Sequence, residues 1–165
     1  QWMNEKVYAA AGRLSSQELA KDRGAFFGSI LGTLNHLVMA DLVWLRRFKS
    51  YAPHRARLEA IEQWPVPLAL AEVLYPQFPA LKAVREPLDQ LIRDWAGDLR
   101  DGDMNAELDY QNMQGIVARR RYSSLIQHVF NHQTHHRGQI TTLLTQAGQD
   151  VGVTDLLMLI PNYVT

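Results

Sequence analysis

Residues 26–48 read FFGSILGTLNHLVMADLVWLRRF, with apolar side chains at Ile30, Leu34, Leu37, Val38, Leu42 and Leu45. These positions recur three and four residues apart, which is the spacing of a helix with one buried side. The stretch predicts a long helix over 26–48 with a single histidine, His36, at its middle. Ser29, Gly32, Thr33 and Ala40 lie one or two turns from His36 and are small, so a cavity is expected beside it.

Working outward, a shorter helix is expected over about 2–12, ended by Gly12, and Ser15 and Ser16 start a turn over QELAKD. Downstream of the long helix, Pro53, Pro65 and Pro67 interrupt any period between 50 and 67, so this is a long connection. A further helix is expected from Pro76 or Pro79 to Arg100, with Leu81, Val84, Leu88, Leu91, Ile92 and Trp95 in register. Pro87 should kink or split it, and Gly97 and Gly102 mark its end.

Between 103 and 122 the period becomes alternating. Leu108 and Tyr110 precede the turn residues Asn112 to Gly115, and Ile116, Ala118 and Arg120 follow, which predicts a small β-hairpin. Ser123 or Ser124 then caps a last long helix that runs to about Ala147 and stops at Gly148. The closing DLLMLI, introduced by Thr154 and Asp155, reads as a short helical turn ending at Pro161. Four helices in this order, with a long crossover and one hairpin, predict an all-α four-helix bundle.

The length, 165 residues, suits one domain. Seventeen basic residues balance seventeen acidic ones, and the only basic cluster is Arg119, Arg120 and Arg121, so nucleic acid is not expected as a partner. Apolar stretches such as LVMADLVWL are too short or interrupted to span a bilayer, no signal peptide opens the chain, and a cytoplasmic location is expected. Because the numbering opens on QWMNEKVY, the native chain is expected to start a few residues earlier. The absence of cysteine excludes disulfides, thiolate zinc sites and a protein thiol nucleophile, so any metal must be held by nitrogen and oxygen.

Four of the six histidines fall in HVFNHQTHHRGQ, residues 128–139. His128, His132 and His136 are four apart on one helical face, and His135 flanks it. Two imidazoles one turn apart can reach one cation, whereas His128 to His136 spans more than about 10 Å of helix, too far for all three to share an ion. His132 with His136 is the pair expected to point at a common ion, and His36 on the earlier helix is the candidate third ligand. His54, in the proline-rich connection, is expected to face water. Asp41, Arg137 and Gln139 are candidates to orient the imidazoles, with Asp41 and Arg137 as an interhelical ion pair. The residue after His132 is Gln133, so the general base of an HExxH protease is missing, and the glutamate-x-x-histidine pairs of di-iron bundles are absent as well.

With FFGSILGTLNHLVMADLVWLRRF around His36, HVFNHQTHHRGQITTLL around His132 and His136, and the closing DLLMLI, the chain resembles the DinB (damage-inducible) family of metal-dependent four-helix-bundle proteins along nearly its whole length. The resemblance implies His36, His132 and His136 as ligands of one divalent ion, zinc or nickel, and homodimers are common among relatives. It also implies a small-molecule substrate, because members of the wider superfamily use low-molecular-weight thiols, as bacillithiol or glutathione-type transferases and a mycothiol-dependent maleylpyruvate isomerase do. The expected activity is thiol S-transfer. A metal-dependent hydrolase and a non-catalytic metal-binding stress-response protein are the alternatives.

Overall fold

The computed structural model describes residues 1–69 and 72–163. They form a mostly helical protein: α1 (Trp2–Ala11), α2 (Ser16–Ala20), α3 (Ile30–Lys49), α4 (Phe78–Gly97) and α5 (Tyr122–Gln146), with strands β1 (Glu107–Gln111) and β2 (Val117–Arg121) between α4 and α5. The strands pair antiparallel, Glu107 opposite Arg121 and Gln111 opposite Val117. Their turn is closed by Asn112 Oδ1, which accepts from the backbone N–H groups of Gln114 (2.9 Å) and Ile116 (3.0 Å). Gly115 supplies the left-handed residue there at φ +79°.

Helix α3 is the centre of the molecule. Every residue from Thr33 to Leu42 is buried, and α5, α4 and α2 all pack against it, while α1 packs on α5. Leu34, Val38 and Leu42 meet Leu81 and Leu88 of α4, Leu125, Ile140 and Leu144 of α5, and Val7 and Ala11 of α1 in one hydrophobic cluster. At the hairpin end, Phe48 stacks on Trp95 (4.9 Å between ring centres), and Trp95 Nε1 donates to the hydroxyl of buried Tyr122 at 3.2 Å.

The start of α3 differs from the periodic reading. The helix begins at Ile30 rather than Phe26, because Ser29 takes the cap position and its hydroxyl accepts from Gly32 N–H at 3.0 Å. Phe26 and Phe27 therefore belong to a loop. Helix α5 begins at Tyr122, one residue before the serines expected to cap it, because the Tyr122 N–H is taken by Ala106 O at 2.8 Å as the hairpin closes. Pro87 does not divide α4, which runs unbroken from Phe78 to Gly97 and simply lacks one N–H donor at that point.

The connection after α3 is long, as expected, but held down. It contains 3-10 turns at Ala52–His54 and Glu59–Gln63, and the Arg46 guanidinium donates to the carbonyls of Ile61 (3.1 Å) and Trp64 (2.7 Å). Asn35, buried in α3, exchanges hydrogen bonds with the backbone of Tyr75. His54 is buried rather than solvated: its Nε2 lies 3.1 Å from Asp103 Oδ2, and Tyr51 OH donates to Asp103 Oδ1 at 3.0 Å. A polar partner on the turn before the hairpin makes that burial tolerable, and nothing in the local sequence of His54 announces it. The closing residues Leu156–Leu159 form a 3-10 turn whose apolar side chains are exposed. Among the described residues no helix is long and apolar enough to cross a membrane.

Candidate metal centre

Three imidazoles converge where α3 faces α5. His36 Nε2 and His132 Nε2 are 3.2 Å apart, His132 Nε2 and His136 Nε2 are also 3.2 Å apart, and all three nitrogens lie within 4.8 Å of one another. His36 and His136 are buried and His132 is half-buried. His128 and His135 are exposed and stand outside the group: His128 packs on Trp44 (5.1 Å between ring centres), and the His135 Nε2 accepts from Gln139 Nε2 at 3.3 Å. The division of the four histidines expected from helical spacing is the one the fold makes.

The inward nitrogen of His136 carries a lone pair. His136 Nδ1 donates to Gln139 Oε1 at 2.8 Å, so in the neutral ring its Nε2 has no proton and points inward. Burial pushes His132 from its ordinary 6.5 down to about 4, helped by the neighbouring imidazoles His136, His36, His128 and His135. Burial also lowers His136, against the hydrogen bond it donates to Gln139. His132 and His136 are therefore neutral at neutral pH, the state in which imidazole binds a metal. A tetrahedral ion at about 2.0–2.1 Å from each nitrogen places its ligands about 3.3 Å apart, close to the two separations of 3.2 Å found here. The donor set fits a divalent cation.

Behind the histidines, a buried polar network fixes α5 to α3. Gln133, the residue after His132, turns away from the imidazoles: its Nε2 donates to Leu37 O at 3.1 Å and to Asp41 Oδ1 at 2.6 Å. Each helix is thus tied to the other one residue from a histidine. Asp41 forms its ion pair with Arg85 of α4 (2.7 Å), and Arg85 also approaches Asp89 (2.9 Å), which accepts from Asn4 of α1. The expected Asp41–Arg137 pair does not form, because Arg85, on the buried stripe of α4, reaches Asp41 first, and the Arg137 guanidinium donates to Thr134 Oγ1. Burial drives Asp41 upward and Arg85's charge opposes it; the two carboxylates hold Arg85 firmly protonated.

The small residues near His36 do not all border open space. Phe27 lies flat on the His36 ring, 3.7 Å between centres and 19° between planes, and 5.4 Å from His136. It comes so close that a Cβ on Gly32 would meet Phe27 O at 2.2 Å, and Ser29 and Thr33 are engaged in the helix cap. Gly32 therefore accommodates the Phe27 backbone instead of leaving a void. Open volume lies on the other side, past Ala40: a cavity of about 420 Å³ lined by His36, Met39, Ala40, Val43, Trp44, Arg47, His128 and His132, with Asn112, Met113 and Gln114 of the hairpin turn over it. That is the size of a small-molecule site. Sequence reasoning missed Phe27, Trp44, Arg47 and Arg85; a glycine followed by a serine, Gly28–Ser29, was the available signal that the helix starts after Phe27.

Residues 1–162 match the DinB family. The chain belongs to that family. It is 30% identical over 158 residues to the protein named DinB of Bacillus subtilis (strain 168), a match covering 93% of this chain and 85% of that protein. No solved structure matches. The three-histidine group is thus a feature of a DinB-family chain, and within the basic cluster Arg119 is paired with Asp109 at 2.6 Å and Arg120 Nε donates to Tyr110 OH.

Proposed function

We propose that this DinB-family chain is a mononuclear metal-dependent enzyme, in which His36, His132 and His136 hold one divalent ion, zinc or nickel, inside a four-helix bundle of α1, α3, α4 and α5. The convergence of three imidazole nitrogens, two of whose rings, His36 and His132, line a 420 Å³ cavity, carries this reading. Among the described residues no further histidine or carboxylate joins the group, so an ion held by these three would have room for a non-protein ligand, as catalytic sites do. An ion held by three neutral ligands keeps its full charge and acidifies a thiol or water that it binds.

The chain's own residues supply the rest. Gln139 keeps the His136 proton on Nδ1, Phe27 seals the far side of His36 from water, and the Gln133–Asp41–Arg85 network holds the register of α5 on α3. The reaction we infer is transfer of a low-molecular-weight thiol to a small electrophile: the S–H proton is lost to solvent, a carbon–sulfur bond forms, and the carbon–leaving-group bond breaks, releasing the leaving group with its electron pair, halide in the case of an aryl halide. The superfamily resemblance supports that choice over hydrolysis. A homodimer belongs to the same reading and rests on the resemblance; a cytoplasmic location is proposed with it from the sequence reading.

Purified protein, stripped and reloaded with zinc or nickel, should accelerate conjugation of a thiol panel to an aryl halide, and His136→Ala should not. Turnover of esters or peptides without thiol turnover would move the assignment to a hydrolase. Full metal binding with no turnover of either class would leave a non-catalytic metal protein.

A further inference from the structure

Arg47 is the one charged residue lining the cavity that reaches His36 and His132. It is half-buried, which disfavours its charge, yet among the described residues it has no carboxylate partner and its guanidinium makes no hydrogen bond. Its central carbon instead lies over Trp44 at 4.5 Å and Tyr110 at 5.1 Å from the ring centres, and these two centres are only 5.5 Å apart, so both rings cover it from one side. Contact of that kind engages no N–H donor and leaves the planar fork for something else. No aspartate or glutamate lines the cavity, so its field is positive even before a metal adds to it.

Position on α3 sets the distance. His36 and Arg47 are eleven residues apart, which returns a helix to within about 20° of the same face and advances it about 16 Å. Helical side chains lean toward the N-terminus at both residues, so only the longer arginine stem closes the gap, to roughly 14 Å, and the contacts made at its two ends leave roughly 10 Å to be spanned within a ligand. We propose that Arg47, backed by Trp44 and Tyr110, is a carboxylate subsite, and that the substrate is an elongated small molecule with its reacting atom at the three histidines and a carboxylate roughly 10 Å away. A lone guanidinium with no second cation matches a singly charged carboxylate better than a phosphate dianion. The substrate's length rests on the metal reading above; the subsite itself does not.

The test uses 8-mercaptooctanoate, whose thiol and carboxylate are separated by about this span, and its methyl ester, titrated calorimetrically into the zinc-loaded protein. The acid should bind at least about tenfold more tightly than the ester. Arg47→Met should remove the difference by weakening the acid alone, and Arg47→Lys should keep part of it. Equal binding of acid and ester to the wild type, or equal weakening of both in Arg47→Met, overturns the subsite while leaving the thiol reading intact. If neither thiol binds, the thiol reading fails, and octanoate titrated into the protein as isolated decides the subsite: about tenfold weaker binding to Arg47→Met supports it, and equal binding overturns it.

Discussion

Replacing Arg85 with methionine removes the single cation of a buried network while keeping most of the side-chain volume. Arg85 and Asp41 side chains are each 3% exposed and Asp89 is 7% exposed, so solvent screens little of the loss. Deleting one partner of a buried ion pair costs about 3–5 kcal/mol because the other charge is left uncompensated. Here two carboxylates are abandoned, and the upper half of that range is expected, measured by urea unfolding of metal-free protein at pH 7. The pH dependence gives a second check. Burial already holds Asp41 above the ordinary carboxylate range against the charge of Arg85, and without Arg85 it rises further, so the folded state binds a proton that the unfolded state does not. The deficit is therefore full at neutral pH and shrinks as pH falls toward the unfolded value. Adding Asp41→Asn and Asp89→Asn should recover part of the loss at pH 7. A cost below about 1 kcal/mol, or a deficit that grows on acidification, would refute the reasoning.

Gly32→Ala should push the Phe27 backbone away from α3, lowering both thermal stability and zinc affinity, whereas Gly138→Ala, which meets nothing within 4 Å, should stabilise α5 by about 0.5–1 kcal/mol; equal effects would contradict the close approach. His54→Leu should cost about 1–3 kcal/mol by stranding Asp103, with metal content unchanged, and a cost near zero would mean that the side chain is solvated after all. His132 is held down to about 4 from 6.5, so between these values the unfolded chain binds the extra proton. The corresponding stability of metal-free protein is present above pH 6.5 and lost as pH falls toward 4, and His132→Gln should flatten the curve over that window; an unchanged slope would count against the shift.

How much of this was legible in the sequence depends on the range of the interaction. The helices, the hairpin and the separation of His132 and His136 from His128 follow from periodicity, because each is set by neighbours within a turn or two. The start of α3 was misplaced by four residues because Phe26 and Phe27 continue its apolar character, and only the Ser29 cap breaks it. Gln139 was found as a partner of His136 because it lies three residues away on the same helix. Arg85 was not found as the partner of Asp41, since 44 residues separate them and the pairing is decided by how α4 crosses α3. The same holds for His54 with Asp103 and for the stacking of Phe27 on His36. A charged residue inside the Leu81–Leu88 stripe was the one clue that α4 carried a buried cation.

The central claim is the two-helix histidine site, and metal content tests it most directly. Elemental analysis of the protein and five single variants, each dialysed after loading with zinc, should give about one ion per chain for the wild type, His128→Ala and His135→Ala. His36→Ala, His132→Ala and His136→Ala should each lose it. Full retention in His36→Ala, on the helix remote from the HxxxH pair, would contradict the account.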